Sequence, residues 1–115
     1  MSIKRYKSSG HLSAAVEHNG VVYVAGMTAA DRSAPVKGQT AEILKKIDAT
    51  LALAGTDKSK LLSATIWLSD IRTREQMNEA WMEWVDRNNL PARASIESRL
   101  GTADCLVEIM VTCAK

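Results

Sequence analysis

From Leu62 to Ser69 the chain alternates Leu62, Ala64, Ile66 and Leu68 with Ser63, Thr65, Trp67 and Ser69, a period of two that predicts a strand with one apolar and one mixed face. The alternation returns over 104–114, where Cys105, Val107, Ile109, Val111 and Cys113 share one face and Leu106, Glu108, Met110 and Thr112 the other. Over 92–99, Ala92, Ala94 and Ile96 alternate with Arg93, Ser95, Glu97 and Arg99, predicting another strand. Two segments change to a helical period. Ile43, Leu44, Ile47, Leu51 and Ala54 fall on one face of a helix over 38–54, and Gly55 stands where a left-handed C-terminal cap is needed. Met77, Ala80, Trp81, Trp84 and Val85 make a second helical face, opened by a capping box of Thr73 and Gln76 and stopped by Asn88, Asn89 and Pro91.

Ahead of these, residues 2–7 and 12–18 are short extended patterns, and Asn19-Gly20 supplies both positive-φ positions of a type I′ hairpin turn. Val21 to Ala25 is β-branched and aromatic without clean alternation, which predicts a strand covered on both faces. Met27 to Lys37 has no period, and a loop of about ten residues is long enough to carry a binding function. The order β-β-β-α-β-α-β-β, with two amphipathic helices that both need apolar cover, predicts an α+β two-layer sandwich. The far side of its sheet, carrying Trp67, Leu106, Met110 and Ser95, is too apolar for water and is expected to bury against other copies of the chain.

Composition narrows the function classes. A chain of 115 residues, 46% hydrophobic and 24% charged, is one folded domain spanning 1–115. Net charge is +2, with Lys and Arg interspersed among Asp and Glu, so there is no basic stripe to track a phosphate backbone and no nucleic-acid partner is expected. The cluster Lys4, Arg5, Lys7 reads as a solvated edge strand. No apolar run approaches the ~20 residues of a membrane helix and no apolar core of a signal peptide follows the N-terminal charges, so the expected location is cytoplasmic, with no membrane partner. Cys105 and Cys113 lie too far apart along one strand to bond each other and are expected as reduced core thiols. With no CxxC, no HExxH and only two histidines, His11 and His18, no metal site is expected.

Two residues stand out chemically. Glu108 is a lone carboxylate in mid-strand between Leu106 and Met110, where burial without a partner is costly; it needs solvent, an arginine or a task. Arg93 follows Pro91-Ala92 at a strand start, where its fork could take a ligand carboxylate through two parallel hydrogen bonds, although a surface arginine is the plainer reading of that position alone. No serine sits in a GxSxG setting.

Taken together, Val22-Tyr23-Val24-Ala25-Gly26, Met77-Asn78-Glu79-Ala80-Trp81, Pro91-Ala92-Arg93 and Val107-Glu108-Ile109, in this order and spacing, resemble the Rid (reactive intermediate deaminase, YjgF-type) family along essentially the whole chain, as a short divergent branch. The resemblance implies a chorismate-mutase-like fold: a six-stranded mixed sheet with two helices on one face, three copies closing a central barrel, and ligand clefts at the subunit junctions. It also implies that the last strand inserts between the third and fourth, although Leu100 to Ala103 reads locally as a hairpin turn.

The implied activity is cofactor-independent hydrolysis of 2-imino acids, such as 2-iminopropanoate and 2-iminobutanoate, to 2-keto acids and ammonia. By position, Arg93 would clamp the substrate carboxylate and Glu108 would hold and activate the water. The backbone at Ser95 and Gly26 and the side chain of Asn78 would line the cleft. Two departures qualify this: the family's cleft tyrosine falls on Leu12, and its cysteine two residues after the arginine is Ser95. The alternative is therefore a non-catalytic trimeric binder of small 2-keto acids or related carboxylates. The ribonuclease or translation-inhibitor activity ascribed to some relatives finds no basic patch here.

Overall fold

The structure, a computed structural model, describes residues 2–115. Strands β1 (Lys4–Ser8), β2 (Ser13–His18) and β3 (Val21–Val24) form an antiparallel meander. Asn19 at φ 53° and Gly20 at φ 77° close the second hairpin in the left-handed conformations that a type I′ turn requires. Helix α1 (Val36–Leu53), β4 (Leu61–Leu68), α2 (Arg74–Trp84), β5 (Ala92–Glu97) and β6 (Val107–Ala114) follow. The six strands make one sheet in the order β1-β2-β3-β6-β4-β5. β6 enters antiparallel between β3 and β4, as the resemblance implies, and β5 lies parallel to β4 at the edge, with α2 as the crossover.

Both helices cover one face. Ile43, Leu44, Ile47 and Leu51 of α1 and Met77 and Trp81 of α2 pack on Val22, Ile66, Leu68, Val107, Ile109 and Val111 of the sheet. Burying each such aliphatic side chain contributes about 1.5–3 kcal/mol, so this layer contact is the main source of stability. Gly55, at φ 81°, ends α1 in a Schellman motif: Thr56 N–H donates to the Leu51 carbonyl and Gly55 N–H to that of Ala52, both at 3.0 Å.

Four expectations are corrected. β3 is covered on one face only, because Tyr23 points to the bare side and is 49% exposed. Helix α1 starts at Val36, two residues before Gly38, with Pro35 fixing its entry. The Thr73–Gln76 capping box does not form: Thr73 Oγ1 donates to the Asp70 carbonyl at 2.6 Å, and the Asp70 carboxylate accepts from Arg72 N at 2.9 Å, so a single 3-10 turn (Ile71–Thr73) leads into α2. Ser95 is not on the bare side of the sheet. In the sheet β5 pairs with β4 at the edge, and the register Ile66–Ser95 and Trp67–Ile96 turns Ser95 toward the helices and leaves Ile96, 44% exposed, beside Trp67. Cys105, which precedes β6, and Cys113 are both buried free thiols.

Candidate functional site

Arg93 pairs in register with Ala64, whose side chain is buried under the helices, so Arg93 projects toward α2. Its guanidinium carbon lies 5.2 Å from the centroid of the Trp81 ring, and Nη1 is 3.9 Å from the Met77 sulfur. As a whole residue Arg93 is exposed, yet its head group loses water against these two side chains. That desolvation, and secondarily the charge of Arg74, lowers the guanidinium pKa from its ordinary value; it remains a cation. Among the described residues it enters no ion pair. It borders a groove of about 380 Å³ lined by Asn78, Trp81, Met82, Leu90, Pro91 and Arg93. Asn78, Trp81 and Met82 share the groove because positions i, i+3 and i+4 lie on one helix face.

Glu108 is in register with Trp67 and belongs to the bare face. Its carboxylate folds across Gly26, where a Cβ would collide with Oε2. Reciprocal hydrogen bonds, Met27 N–H to the Ile109 carbonyl at 2.8 Å and Ile109 N–H to the Met27 carbonyl at 3.0 Å, hold the chain after Gly26 against β6. Glu108 also enters no ion pair among the described residues. The predicted site residues thus divide into two sets. Arg93 and Asn78 lie on the helix side of the sheet; Glu108, with Gly26 beneath it, lies on the reverse, and β4 separates their strands. One chain does not bring them together. A larger groove of about 450 Å³, between α1 and α2 beside Trp84, contains none of these residues.

The family model described as Endoribonuclease L-PSP matches residues 2–115. The chain belongs to this family, the Rid/YjgF proteins. A RutC family protein of Haemophilus ducreyi is 41% identical over 112 residues, covering 97% of this chain and 96% of its own. The crystal structure of a YjgF family member from Neisseria meningitidis superposes with a TM-score of 0.97 at 36% identity, covering 100% of this chain and 96% of that one. A member of the conserved Rid family from Yersinia pestis superposes with a TM-score of 0.85 at 31% identity, covering 94% and 90% of the two chains.

In this Rid/YjgF chain the two departing positions have definite surroundings. Leu12 closes a tight turn in which Ser9 N–H donates to its carbonyl at 2.7 Å, and its side chain is 56% exposed with no hydrogen-bonding group to offer. The Ser95 hydroxyl is buried on the Arg93 side and has no hydrogen-bond partner among the described residues, a deficit of about 1–3 kcal/mol for a buried polar group.

The long loop after Gly26 is fastened. Glu42 accepts from Ala30 N at 2.5 Å and Asp31 N at 3.1 Å, Lys46 Nζ donates to the Thr28 carbonyl at 2.8 Å, and Arg32 donates to the Ala29 carbonyl and Thr102 Oγ1, each at 2.6 Å. Met82 and Leu90 were not among the residues expected at the site. The helical spacing from Asn78 points to Met82; nothing local points to Leu90, which the 85–91 turn swings back over the groove.

Proposed function

We propose that this protein hydrolyses 2-imino acids to 2-keto acids and ammonia, in a homotrimer whose clefts join Arg93 of one chain to Glu108 of a neighbour. The observation that carries the proposal is the separation of an oriented cation and a carboxylate, each without an ionic partner among the described residues, on opposite faces of one sheet. The apolar bare face, with Tyr23, Ile96 and Met110 each at least 40% exposed, is the surface through which copies would pack.

Arg93 takes the substrate carboxylate through two parallel hydrogen bonds and so fixes the imine carbon in space. Glu108 accepts a proton from water as the water oxygen bonds to the carbon of the protonated imine and the C=N π electrons pass to nitrogen, which becomes a neutral amine. The resulting tetrahedral carbinolamine then breaks its C–N bond. The nitrogen takes up the proton that Glu108 held and leaves as ammonia, while the C–OH becomes the keto group by giving its proton back to the Glu108 carboxylate. One water is consumed and no redox partner is required. General-base assistance of this kind is worth about 10²–10⁴-fold.

Leu12 favours a second reading, a keto-acid binder without turnover, because the cleft gains no hydroxyl there. The two are separated by 2-keto acid release from freshly generated 2-iminopropanoate and 2-iminobutanoate. Wild type should accelerate release, Arg93→Ala and Glu108→Ala should each lose roughly 100-fold or more, and chains of the two variants refolded together should recover part of the activity. Binding of keto acid with no acceleration over buffer would leave the binder. Two active-alone variants would remove both residues from the mechanism.

A further inference from the structure

We infer that the groove beside Arg93 selects carboxylates with bulky apolar side chains, so that the preferred 2-imino and 2-keto acids carry branched aliphatic or aromatic substituents rather than a methyl or ethyl group. The inference rests on the proposed site for its chemistry, but its binding part stands on the groove alone. Four of the six lining residues, Trp81, Met82, Leu90 and Pro91, present apolar surface, and only Arg93 brings a charge. Met82 is 44% and Leu90 63% exposed. A single exposed Leu is unremarkable, but here two large apolar side chains and a proline flank a cation that has no counter-ion among the described residues.

Charge complementarity fixes one end of the occupant. A carboxylate meets Arg93, drawn also by Arg74, whose charge Arg93 feels although Arg74 does not line the groove. Asn78 offers both a donor and an acceptor to a keto or imine group. What remains is apolar wall. A methyl substituent would leave Met82 and Leu90 in water, whereas an isobutyl or benzyl group would cover them. The unbranched, adaptable Met82 suits selection by bulk rather than by one shape.

At the usual gain of about 0.8 kcal/mol per buried CH₂, each added carbon is worth about fourfold, and three carbons about 50-fold if fully buried. In an open groove the expected preference for 4-methyl-2-oxopentanoate over pyruvate is roughly 10- to 50-fold.

The test measures binding of pyruvate, 4-methyl-2-oxopentanoate and phenylpyruvate to the full chain by calorimetry, alongside hydrolysis of the imines generated from alanine and leucine. The doubly substituted chain, Met82→Ser with Leu90→Ser, should bring the 4-methyl-2-oxopentanoate to pyruvate affinity ratio within about threefold; both side chains lie outside the core, and a thermal melt confirms the fold. Equal affinities in wild type, or a ratio unchanged in the double variant, overturns the inference. Selective binding without hydrolysis keeps it and removes the catalytic reading. Hydrolysis without side-chain preference does the reverse.

Discussion

On the helix-covered face of the sheet, Val22, Val24, Ala64, Ile66, Leu68, Val107, Ile109 and Val111 are 2% exposed or less, whereas on the reverse face Tyr23, Ile96 and Met110 keep 49%, 44% and 40% of their surface. Both faces are written by the same alternation in β4 and β6. The covered face is uniformly aliphatic and holds the chain folded. The reverse mixes Trp67, Met110 and Tyr23 with Glu108 and the hydrogen-bonded pair Ser63 and Thr112, whose hydroxyls lie 2.6 Å apart. A face of that composition is too apolar for bulk water and too polar for a core, which suits the proposed packing of copies through it. Arg93 belongs to the first face and Glu108 to the second, so the proposed chemistry needs both.

The sharpest way to break this contrast compares substitutions on adjoining strands. Ile66→Ala should cost about 2–5 kcal/mol in denaturant unfolding at every protein concentration, since it opens a cavity under the helices. Met110→Lys should act instead on association: sedimentation should shift from the proposed trimer to monomer, with any loss of stability depending on concentration. A Met110→Lys chain that remains trimeric would show that the bare face is not the packing surface.

Gly26 sharpens the comparison from the reverse face. Its backbone is not in the left-handed region, so alanine is sterically costly only through the end of the Glu108 side chain. Gly26→Ala should therefore leave the melting temperature nearly unchanged but displace the carboxylate, lowering imine turnover roughly 10- to 100-fold, within the range general-base loss allows. A large drop in stability with the carboxylate still in place, seen in a crystal structure, would reassign Gly26 to folding.

The elements were legible wherever the local signal had a single meaning. Asn19-Gly20 has one common use, and the face of α2 from Met77 to Val85 admits one period. The misreadings share another origin. Thr73 carries a valid capping pattern, but Asp70 three residues earlier captures its hydroxyl and starts a tighter turn. For β5 the grouping of Arg93 with Ser95 is plain in the sequence, while the face they adopt is not, because a parallel edge strand takes its facing from register with β4 alone. The separation of Arg93 from Glu108 follows from that register and from the insertion of β6. Neither leaves a mark within ten residues of the side chains concerned.

The smallest expected effect concerns the loop that leaves Gly26 on the reverse side and is fastened from the helix side. Hydrogen bonds from the Ala30 N–H, and next the Asp31 N–H, hold the Glu42 carboxyl below its ordinary value of 4.5, with Lys46 adding a minor contribution. A depressed folded-state pKa stabilises the fastened loop above that ordinary value, and the effect fades as pH falls through the lower folded value. Amide protection at Ala30 and Asp31 should accordingly be several-fold higher in wild type than in Glu42→Ala at neutral pH, with the two converging in acid, while global stability differs little. Protection that stays high in acid would mean that Gln39, Lys46 and Arg32 hold the loop without the Glu42 carboxylate. The Glu108 cradle would then persist at pH values where the Glu42 carboxyl is protonated.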